Sequence, residues 1–271
     1  MSFETRRKEL EAELGEPITV DGLTASWSIF QRKNGHRHST DDLMTGWYAL
    51  EKRALAPPGN RVLDLGAGIG TVGLLVLSGL EPDARLMSIE AQDVSFRFLV
   101  ENIRANGLEE RVTALKGDIR DVFLEEKFPL VTGSPPYFPT SAGIVPADSQ
   151  KAHARFELRG DVRDYARVAR ERLEPNGLFV LCFPWPQKKR AVEAVHGEGF
   201  AIASERDVVP REGLPPLFTL FACKLVPAVT RKEGMIEAPF VVRHASGDHT
   251  PAMDAVRARF GFPPQPKRAG T

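Results

Sequence analysis

The residues best suited to chemistry are Ser134-Pro135-Pro136-Tyr137, which follow a short apolar run from Phe128 to Val131. The run predicts a buried strand that ends at Thr132-Gly133, because two consecutive prolines have no N–H group to donate to a central ladder. Each proline also keeps the preceding residue out of the helical region. A hydroxyl, free carbonyl groups and an aromatic ring would then suit the binding of a flat ring that bears an amino group. Taken alone, the Pro-Pro pair is better explained as a turn that ends the strand.

A second candidate site lies about seventy residues upstream, in Val62-Leu63-Asp64-Leu65-Gly66-Ala67-Gly68-Ile69-Gly70. This stretch predicts a strand, a glycine-rich turn and the start of a helix. Gly66, Gly68 and Gly70 allow a sharp turn and a close approach to a ligand, and a helix N-terminus favours electronegative groups. Glu90 ends the next predicted strand, where an acid can accept hydrogen bonds from ribose hydroxyls.

A nicotinamide dinucleotide and S-adenosylmethionine both fit these residues, and two features favour S-adenosylmethionine. Asp64 stands two residues before the first glycine, in a D-L-G-x-G-x-G pattern that differs from the dehydrogenase G-x-G-x-x-G pattern. Asp118, in Gly117-Asp118-Ile119 after the third strand, is placed to meet an adenine amino group. Helix capping is an alternative role for Asp118.

The elements that must position these residues alternate between strands and helices from Gly59 onward. Predicted strands cover Arg61 to Leu65, Arg85 to Glu90, Arg111 to Lys116, Phe128 to Val131, Leu178 to Phe183, Phe200 to Asp207 and Leu217 to Leu225. Predicted helices cover Thr71 to Gly79, Asp93 to Asn106, Asp161 to Leu173 and Gln187 to His196. The alternation predicts a doubly wound parallel α/β sheet. No helix separates the last two strands, so they should be an antiparallel pair, as in the seven-stranded sheet of Rossmann-like methyltransferases.

The N-terminal region predicts a short helix, a β-hairpin and a second helix. Thr24 to Phe30 is strand-like, Asn34-Gly35 is a hairpin-turn signal, and Asp41 or Asp42 caps a helix that runs to about Leu55. This places the basic residues at the hairpin tip: Arg32, Lys33 and Arg37, with His36 and His38 beside them. We therefore predict three regions: an N-terminal extension (1–58), the sheet domain (59–226) and a C-terminal extension (227–271).

Composition limits the classes of protein. With 271 residues, 42% hydrophobic and 27% charged, the chain resembles a soluble globular protein, and no apolar run approaches the roughly 20 residues of a membrane helix. Cys182 and Cys223 lie in apolar runs without metal-ligand spacing, which predicts a cytoplasmic protein without a metal. Net charge is zero, which argues against broad affinity for nucleic acid but not against a local patch. From residue 226 onward seven Lys and Arg oppose four Asp and Glu.

The D-L-G-A-G-I-G loop followed by S-P-P-Y resembles the amino-group methyltransferases with a D/N/S-P-P-Y/F motif. That resemblance implies S-adenosylmethionine as the methyl donor and adenine N6, cytosine N4 or a glutamine amide as the acceptor. The acceptor nitrogen gains positive charge as it attacks, so acceptors aimed at its N–H groups stabilise the transition state. Ser134 Oγ and the Pro135 carbonyl are the predicted acceptors, beside Pro136. Tyr137 and Phe138 are the predicted ring contacts.

Further segments resemble the bacterial tRNA adenine-N6 methyltransferases that act on valine tRNA. They are His38-Ser39-Thr40-Asp41-Asp42-Leu43-Met44 followed by Trp47-Tyr48, Ala154-Arg155-Phe156-Glu157, Pro239-Phe240-Val241-Val242, and His249-Thr250-Pro251. The resemblance implies that Ser39 and Asp41 help to close the cofactor site and that Arg155 and Glu157 order the loop over the target. Helix capping by Ser39 or Asp41, and a solvated Arg155–Glu157 pair, are the alternatives. Lys33 and Arg37 are predicted to contact the RNA.

Two departures from that family keep a second hypothesis open. The family usually has Asn where this chain has Ser134, and the loop Gly213-Leu214-Pro215-Pro216-Leu217-Phe218 lacks the arginines expected in enzymes that act on tRNA. N6-methylation of a tRNA adenine is the first hypothesis, and N-methylation of a small-molecule amine is the second. Methylation of a protein glutamine ranks lower. Enzymes of that kind usually carry a helical N-terminal domain, and only about twenty residues precede Asp21 here. A cytosine-N4 DNA enzyme would need a target-recognition domain, and a non-catalytic binding protein would not need both motifs.

Overall fold

A computed structural model describes residues 2–225 and 234–265 of the chain. The N-terminal part forms a helix, a two-stranded antiparallel hairpin and a second helix. In chain order these are α1 (Phe3–Leu14), β1 (Ile18–Gly22), β2 (Ser28–Arg32) and α2 (Thr40–Glu51), followed by the 3-10 turn Arg53–Leu55.

Strands and helices then alternate around a central sheet. The strands are β3 (Arg61–Leu65), β4 (Arg85–Glu90), β5 (Val112–Lys116), β6 (Phe128–Gly133), β7 (Leu173–Pro184), β8 (Phe200–Val209) and β9 (Phe218–Leu225). The helices are α3 (Thr71–Ser78), α4 (Asp93–Ala105), α5 (Ser149–Arg155), α6 (Val162–Arg172) and α7 (Lys188–Gly197), with 3-10 turns at Thr140–Ala142 and Trp185–Gln187. The last described elements are β10 (Met235–Ile236), β11 (Phe240–Val241) and α8 (Pro251–Arg259).

The main strands lie in the order β8-β9-β7-β6-β3-β4-β5. β9 is antiparallel to both β7 and β8, and the other main strands are parallel to their neighbours. This confirms the predicted doubly wound seven-stranded sheet with its last strand antiparallel. The short strands β10 and β11 extend the sheet by pairing parallel with β8, and they were not predicted.

The two faces of the sheet are covered by different helices, as the alternation of side chains along a strand requires. In β7, Leu178 and Val180 belong to a core that α2, α3 and α4 share, whereas Phe179 and Leu181 pack against α6 and α7. All four side chains are buried. The α/β prediction therefore extends to a three-layer arrangement.

The predicted hairpin turn is wrong. The observed register pairs Ile18 with Arg32 and Gly22 with Ser28, so the turn spans residues 23–27 and Asn34-Gly35 lies beyond the second strand. The Thr24 hydroxyl closes the turn by accepting from the Ser26 and Trp27 N–H groups (3.2 and 3.0 Å). The basic residues consequently lie at the end of the hairpin opposite its tip.

Two further differences from the prediction concern helices. α2 begins at Thr40 and ends at Glu51, earlier than predicted, and α5 occupies a segment predicted as a loop.

Part of the basic excess predicted for the C-terminal region falls on Arg231, Lys232, Lys267 and Arg268, which lie outside the described residues. Within residues 2–225 and 234–265, no helix combines the length and apolarity needed to cross a bilayer. The division into three regions remains a prediction.

Candidate active site

The glycine-rich loop after β3 has the backbone that the sequence predicts. Gly66, Gly68 and Gly70 all have positive φ angles (62°, 58° and 97°), a region that L side chains rarely adopt. A Cβ added at Gly66 would lie 2.0 Å from the hydroxyl of Tyr165, so a side chain there would have to displace the Tyr165 ring. A Cβ at Gly68 would meet no atom within 4 Å, because that residue borders an open cavity.

Asp64 supports this loop from beneath. Its carboxylate is buried and accepts hydrogen bonds from the Thr132 hydroxyl (2.7 Å) and the Gly73 N–H (3.0 Å). Burial raises the pKa of Asp64 to about 7, against the opposing effect of those two donors. Asp64 thus ties β3 to β6 and to the first turn of α3 while it lines the cavity floor.

Glu90 ends β4 on the opposite side of the same loop. Its carboxylate accepts from the N–H groups of Gly68 (2.7 Å) and Gln92 (2.6 Å). Burial raises the pKa of Glu90 to about 7, although these donors oppose the shift. A carboxylate that lines the cavity and contacts the glycine loop is placed to accept hydrogen bonds from the hydroxyl groups of a ligand.

Asp118 and Ile119 line the cavity from the end of β5. Both Asp118 oxygens are engaged by the Arg120 guanidinium (2.9 and 2.7 Å), and Oδ1 also accepts the Arg120 N–H (3.0 Å). Burial alone would raise the pKa of Asp118, but the Arg120 contacts lower it below its usual value. No helix begins directly after Asp118 in the described part of the chain, so its bonds to Arg120 stabilise a turn and the capping alternative is wrong. Its predicted contact with adenine remains a prediction.

The S-P-P-Y segment follows β6 at the same edge of the sheet. Ser134 and Pro136 line the cavity that the glycine loop also lines. Ser134 Oγ lies 3.5 Å from the Cys182 sulfur of β7, and Pro135 is buried. The structure thus brings the predicted acceptor hydroxyl and the predicted cofactor loop to one cavity.

Tyr137 is held by several contacts. Its hydroxyl donates to Asp41 Oδ2 (2.6 Å) and lies 3.3 Å from Cys182, and its ring meets Phe183 edge-on (5.9 Å between centroids). Burial raises the pKa of Tyr137 well above its usual value, helped by Cys182 and Asp41. Asp41 therefore joins α2 to the acceptor segment, whereas stacking of Tyr137 on a target ring remains a prediction.

Phe138 pairs with the segment predicted to order the loop. The N–H groups of Tyr137 and Phe138 both donate to the Arg155 carbonyl (3.0 and 2.8 Å), and the Glu157 N–H donates to the Phe138 carbonyl (2.9 Å). The Glu157 carboxylate binds Arg190 (2.6 Å), so it is not paired with Arg155. The exposed Arg155 side chain has no hydrogen-bond or ion-pair partner among the described residues.

The segment between β2 and α2 covers the cavity together with α5. Gln150 of α5 is buried and accepts from the His36 N–H (3.2 Å) and the Arg32 guanidinium (3.2 Å). Arg37 lines the cavity while it binds Asp21 (3.0 Å). Lys33 is exposed.

Ser39 does not line the cavity, and its hydroxyl donates to Asp41. Its N–H donates to Asp42 (3.0 Å), which begins α2 with a capping interaction. The capping alternative is thus observed for this residue, and a contact between Ser39 and a cofactor remains a prediction.

Several residues that line the cavity were not singled out from the sequence as site residues: His36, His38, Asp42, Gln92, Gln150, Arg159 and Tyr165. Asp42 and the histidines were noted for capping and charge, and Gln92 follows Glu90 closely enough to have been a candidate. Gln150, Arg159 and Tyr165 carry no local signal, because only tertiary contacts bring their helix or loop to the glycine loop. No cluster of three or more metal-ligating side chains occurs within residues 2–225 and 234–265.

Comparisons with known proteins find a matching family model and curated relatives. A family model described as the TRM5/TYW2 methyltransferase domain matches residues 50–138, from the end of α2 through the acceptor segment. The chain is 23% identical over 202 residues to the tRNA1(Val) (adenine(37)-N6)-methyltransferase of Actinobacillus pleuropneumoniae, covering 74% of this chain and 81% of the relative. The enzyme of the same name from Porphyromonas gingivalis is 30% identical over 153 residues, 55% of this chain and 58% of the relative. The predicted resemblance is therefore confirmed.

The fold is also similar to solved structures. A crystal structure described as a predicted O-methyltransferase from Agrobacterium tumefaciens superposes with a TM-score of 0.61 at 18% identity, covering 85% of this chain and 100% of that chain. At this identity the likeness shows the fold. Together with the family model and the curated relatives, it confirms the predicted enzyme class, an S-adenosylmethionine-dependent methyltransferase.

Proposed function

We propose that this enzyme methylates the exocyclic N6 of an adenine in tRNA. The observation that carries the proposal is that Ser134 and Pro136 share one cavity with the glycine loop, Glu90 and Asp118. Two curated relatives are named for adenine-N6 methylation of tRNA1(Val). Cys182 and Cys223 are free buried thiols, which suits a reducing compartment such as the cytoplasm.

The residues at the cavity fit S-adenosylmethionine. The open space at Gly68 would accept the amino-acid end, and the carboxylates of Asp42, Asp64 and Glu90 suit a positively charged sulfur. Glu90 would hold the ribose hydroxyls, and Asp118 with Ile119 would contact the adenine. When bound, S-adenosylmethionine supplies an electrophilic methyl group on that sulfur.

The chain's own groups then act on the acceptor amine. Ser134 Oγ and the Pro135 carbonyl would accept hydrogen bonds from the amino group, whose N–H bonds become stronger donors as positive charge develops on nitrogen. The nitrogen lone pair forms the new N–C bond as the S–C bond breaks, and one amine proton leaves to solvent. Since the acceptors favour the charging nitrogen, they lower the barrier more than they tighten ground-state binding.

A second candidate is N-methylation of a small-molecule amine. The observation that favours it is the exposed apolar loop with Leu214 and Leu217, which contains no arginine after Arg211. Ser134 is also shorter than the Asn usual in the tRNA family, so the acceptor pocket could admit a different amine.

Incubation with S-adenosylmethionine labelled in the methyl group separates these functions. Total bacterial tRNA, genomic DNA and a small-molecule extract would be offered in parallel, and nucleosides would be identified by mass spectrometry. We expect labelled N6-methyladenosine from tRNA alone. Label confined to the small-molecule extract would replace the proposal with the second candidate, and Ser134→Ala serves as the control for site-dependent transfer.

A further inference from the structure

An apolar surface lies beside the acceptor segment, at the edge of the sheet where β7 ends and β9 begins. Trp185, Leu214 and Leu217 are 38%, 52% and 57% exposed. β6 and β7 are parallel neighbours that pair Gly133 with Leu181, so the C-terminal ends of both strands lie at the edge of the sheet that borders the cavity. We call Trp185, Leu214 and Leu217 the apolar platform.

Trp185 is fixed in place although much of it is exposed. Its backbone N–H donates to the Leu217 carbonyl (3.0 Å), and its indole N–H donates to Asp207 (3.1 Å). Asp207 in turn binds Lys188 (2.9 Å), so its charge is compensated. A rigid aromatic side chain that keeps exposed surface loses little conformational entropy when a flat ring binds to it.

Exposed positive charges lie near the acceptor segment as well, at the end of α5 and after β2. Arg155 ends α5, and its carbonyl binds the backbone of Tyr137 and Phe138. Lys33 follows Arg32, which binds Asp148 at the start of α5 (2.8 Å). Lys33 and Arg155 are both exposed, and neither forms an ion pair within the described parts of the chain. Arg32 and Arg155 thus mark the two ends of α5, which is ~10 Å long.

We infer that these two surfaces bind an unpaired RNA segment around the target nucleotide. A base next to the target stacks on Trp185 and contacts Leu214 and Leu217, while Lys33 and Arg155 contact the phosphates. Proteins that bind single-stranded nucleic acid combine stacking platforms with cations along the backbone, and a base inside a duplex presents no free face. This inference rests on the proposed tRNA function, and it assigns to RNA an apolar loop that otherwise favours a small molecule.

Two substitutions of Trp185 test the stacking role. Trp185→Phe and Trp185→Leu both lose the indole N–H bond to Asp207 and stay apolar, but only Phe retains a ring face. We expect Trp185→Leu to raise the KM for tRNA and the Kd for an RNA hairpin with an unpaired loop roughly 5- to 150-fold, the range for loss of one stacked base. Trp185→Phe should stay within about 3-fold of the wild type. Thermal melting of both variants checks that the fold is intact.

The cations are tested by salt dependence. For the RNA hairpin with an unpaired loop, Lys33→Ala and Arg155→Ala should each reduce the slope of log affinity against log salt concentration by roughly 0.7. Lys189→Ala, which removes an exposed cation of α7, should leave the slope unchanged. Equal effects of Trp185→Leu and Trp185→Phe would overturn the assignment of this surface to unpaired RNA, and so would an affinity for a blunt RNA duplex equal to that for the hairpin. Methylation of tRNA by the wild type would stand in either case. A wild-type enzyme that labels only small amines would overturn both proposals.

Discussion

Two buried carboxylates at one cavity define this protein at the scale of single residues. Asp64 and Glu90 both have pKa values near 7 because burial disfavours their charged forms. Asp64 accepts hydrogen bonds from Thr132 and Gly73, and these bonds hold the loop in place. Glu90 accepts from backbone N–H groups of the loop and of Gln92 and also lines the cavity, so a ligand can compete for it.

The raised pKa of Glu90 predicts how cofactor affinity depends on pH. Between about 4.5 and about 7 the folded, ligand-free protein holds a proton on Glu90 that the unfolded chain has lost, so this group's contribution to the unfolding free energy falls as pH rises. Ribose hydroxyls and a cationic sulfur favour the carboxylate, so binding should lower this pKa and release a proton. Affinity for S-adenosylmethionine, measured by calorimetry, should therefore rise from about pH 6 to about pH 8.

Glu90→Gln is the control for that pH dependence. It keeps the side-chain size and one carbonyl oxygen but cannot titrate, so its affinity should be weaker and should rise less with pH over the same range. Asp64, which lines the same cavity and also has a pKa of about 7, accounts for the pH dependence that remains. Calorimetry in buffers of different ionisation enthalpy would show proton release for the wild type and less for Glu90→Gln. An affinity that falls as pH rises would contradict the assignment of the ribose contact to Glu90.

Ser134 should matter for the rate rather than for cofactor binding. Ser134→Ala removes a hydrogen bond to a nitrogen that gains charge, which raises the barrier by about 1–3 kcal/mol and lowers kcat roughly 5- to 150-fold. The Kd for S-adenosylmethionine should stay within error of the wild type, since Ser134 would contact only the acceptor.

Cys182→Ala provides a matched variant for Ser134→Ala. It removes the sulfur that lies 3.5 Å from Ser134 Oγ but leaves the hydroxyl in place, so its kcat should fall less. Equal kcat values for Ser134→Ala and the wild type would show that the Pro135 carbonyl suffices as the acceptor.

At the scale of elements, the sheet was predictable and the hairpin turn was not. β3, β4 and β9 follow apolar runs bounded by glycine, proline or charged residues, and those local patterns coincide with their observed limits to within a residue. The Asn34-Gly35 turn signal failed because Gly35 serves a different purpose. A Cβ there would lie 2.3 Å from the Gln150 side chain, so the glycine permits contact with α5.

The helix α5 shows why part of the site was missed. Its seven residues, SQKAHAR, have no apolar stripe, and it is held by a cap from Asp148 and by the contacts of Gln150 with Ser95, His36 and Arg32. The three partners of Gln150 are each more than fifty residues away in sequence, so no local pattern could reveal them. The motifs located the cofactor loop and the acceptor segment, whereas the cover of the cavity depends on tertiary contacts.

Asn102 of α4 joins two elements that border the site. Its side chain accepts from the Phe30 N–H of β2 (2.7 Å) and donates to the Ile69 carbonyl of the glycine loop (2.9 Å), and it is fully buried. Asn102→Leu would leave both backbone groups without partners, so we expect the unfolding free energy to fall by about 2–5 kcal/mol in denaturant titration.

Asn106, one turn later at the C-cap of α4, is the comparison for Asn102. It makes similar bonds to Ser28 of β2 but is partly exposed, so water can replace the lost bonds. Asn106→Leu should therefore cost less than Asn102→Leu. Equal costs would mean that the burial of the Asn102 bonds contributes nothing.

At the scale of the whole molecule, the C-terminal segment links the N-terminal extension to the sheet. Glu237 accepts from the buried Tyr48 hydroxyl of α2 (2.7 Å), binds Lys52 (2.8 Å) and accepts from Ser204 of β8. Phe240 packs against Trp47 of α2 (5.2 Å between centroids). These contacts predict that the three regions unfold together rather than as separate domains.

Glu237→Ala tests this cooperativity, because it leaves the Tyr48 hydroxyl and the Lys52 ammonium without their common partner. We expect a loss of about 2–4 kcal/mol, a fall of roughly 5–15 °C in Tm, and a single calorimetric transition for both variant and wild type. Glu212→Ala is the matched control, since Glu212 also binds the C-terminal segment, through His244 (2.9 Å), but at an exposed site where the loss of stability should be much smaller. A second transition in Glu237→Ala would show that the C-terminal segment can detach while the sheet stays folded, and the regions would then be separate units.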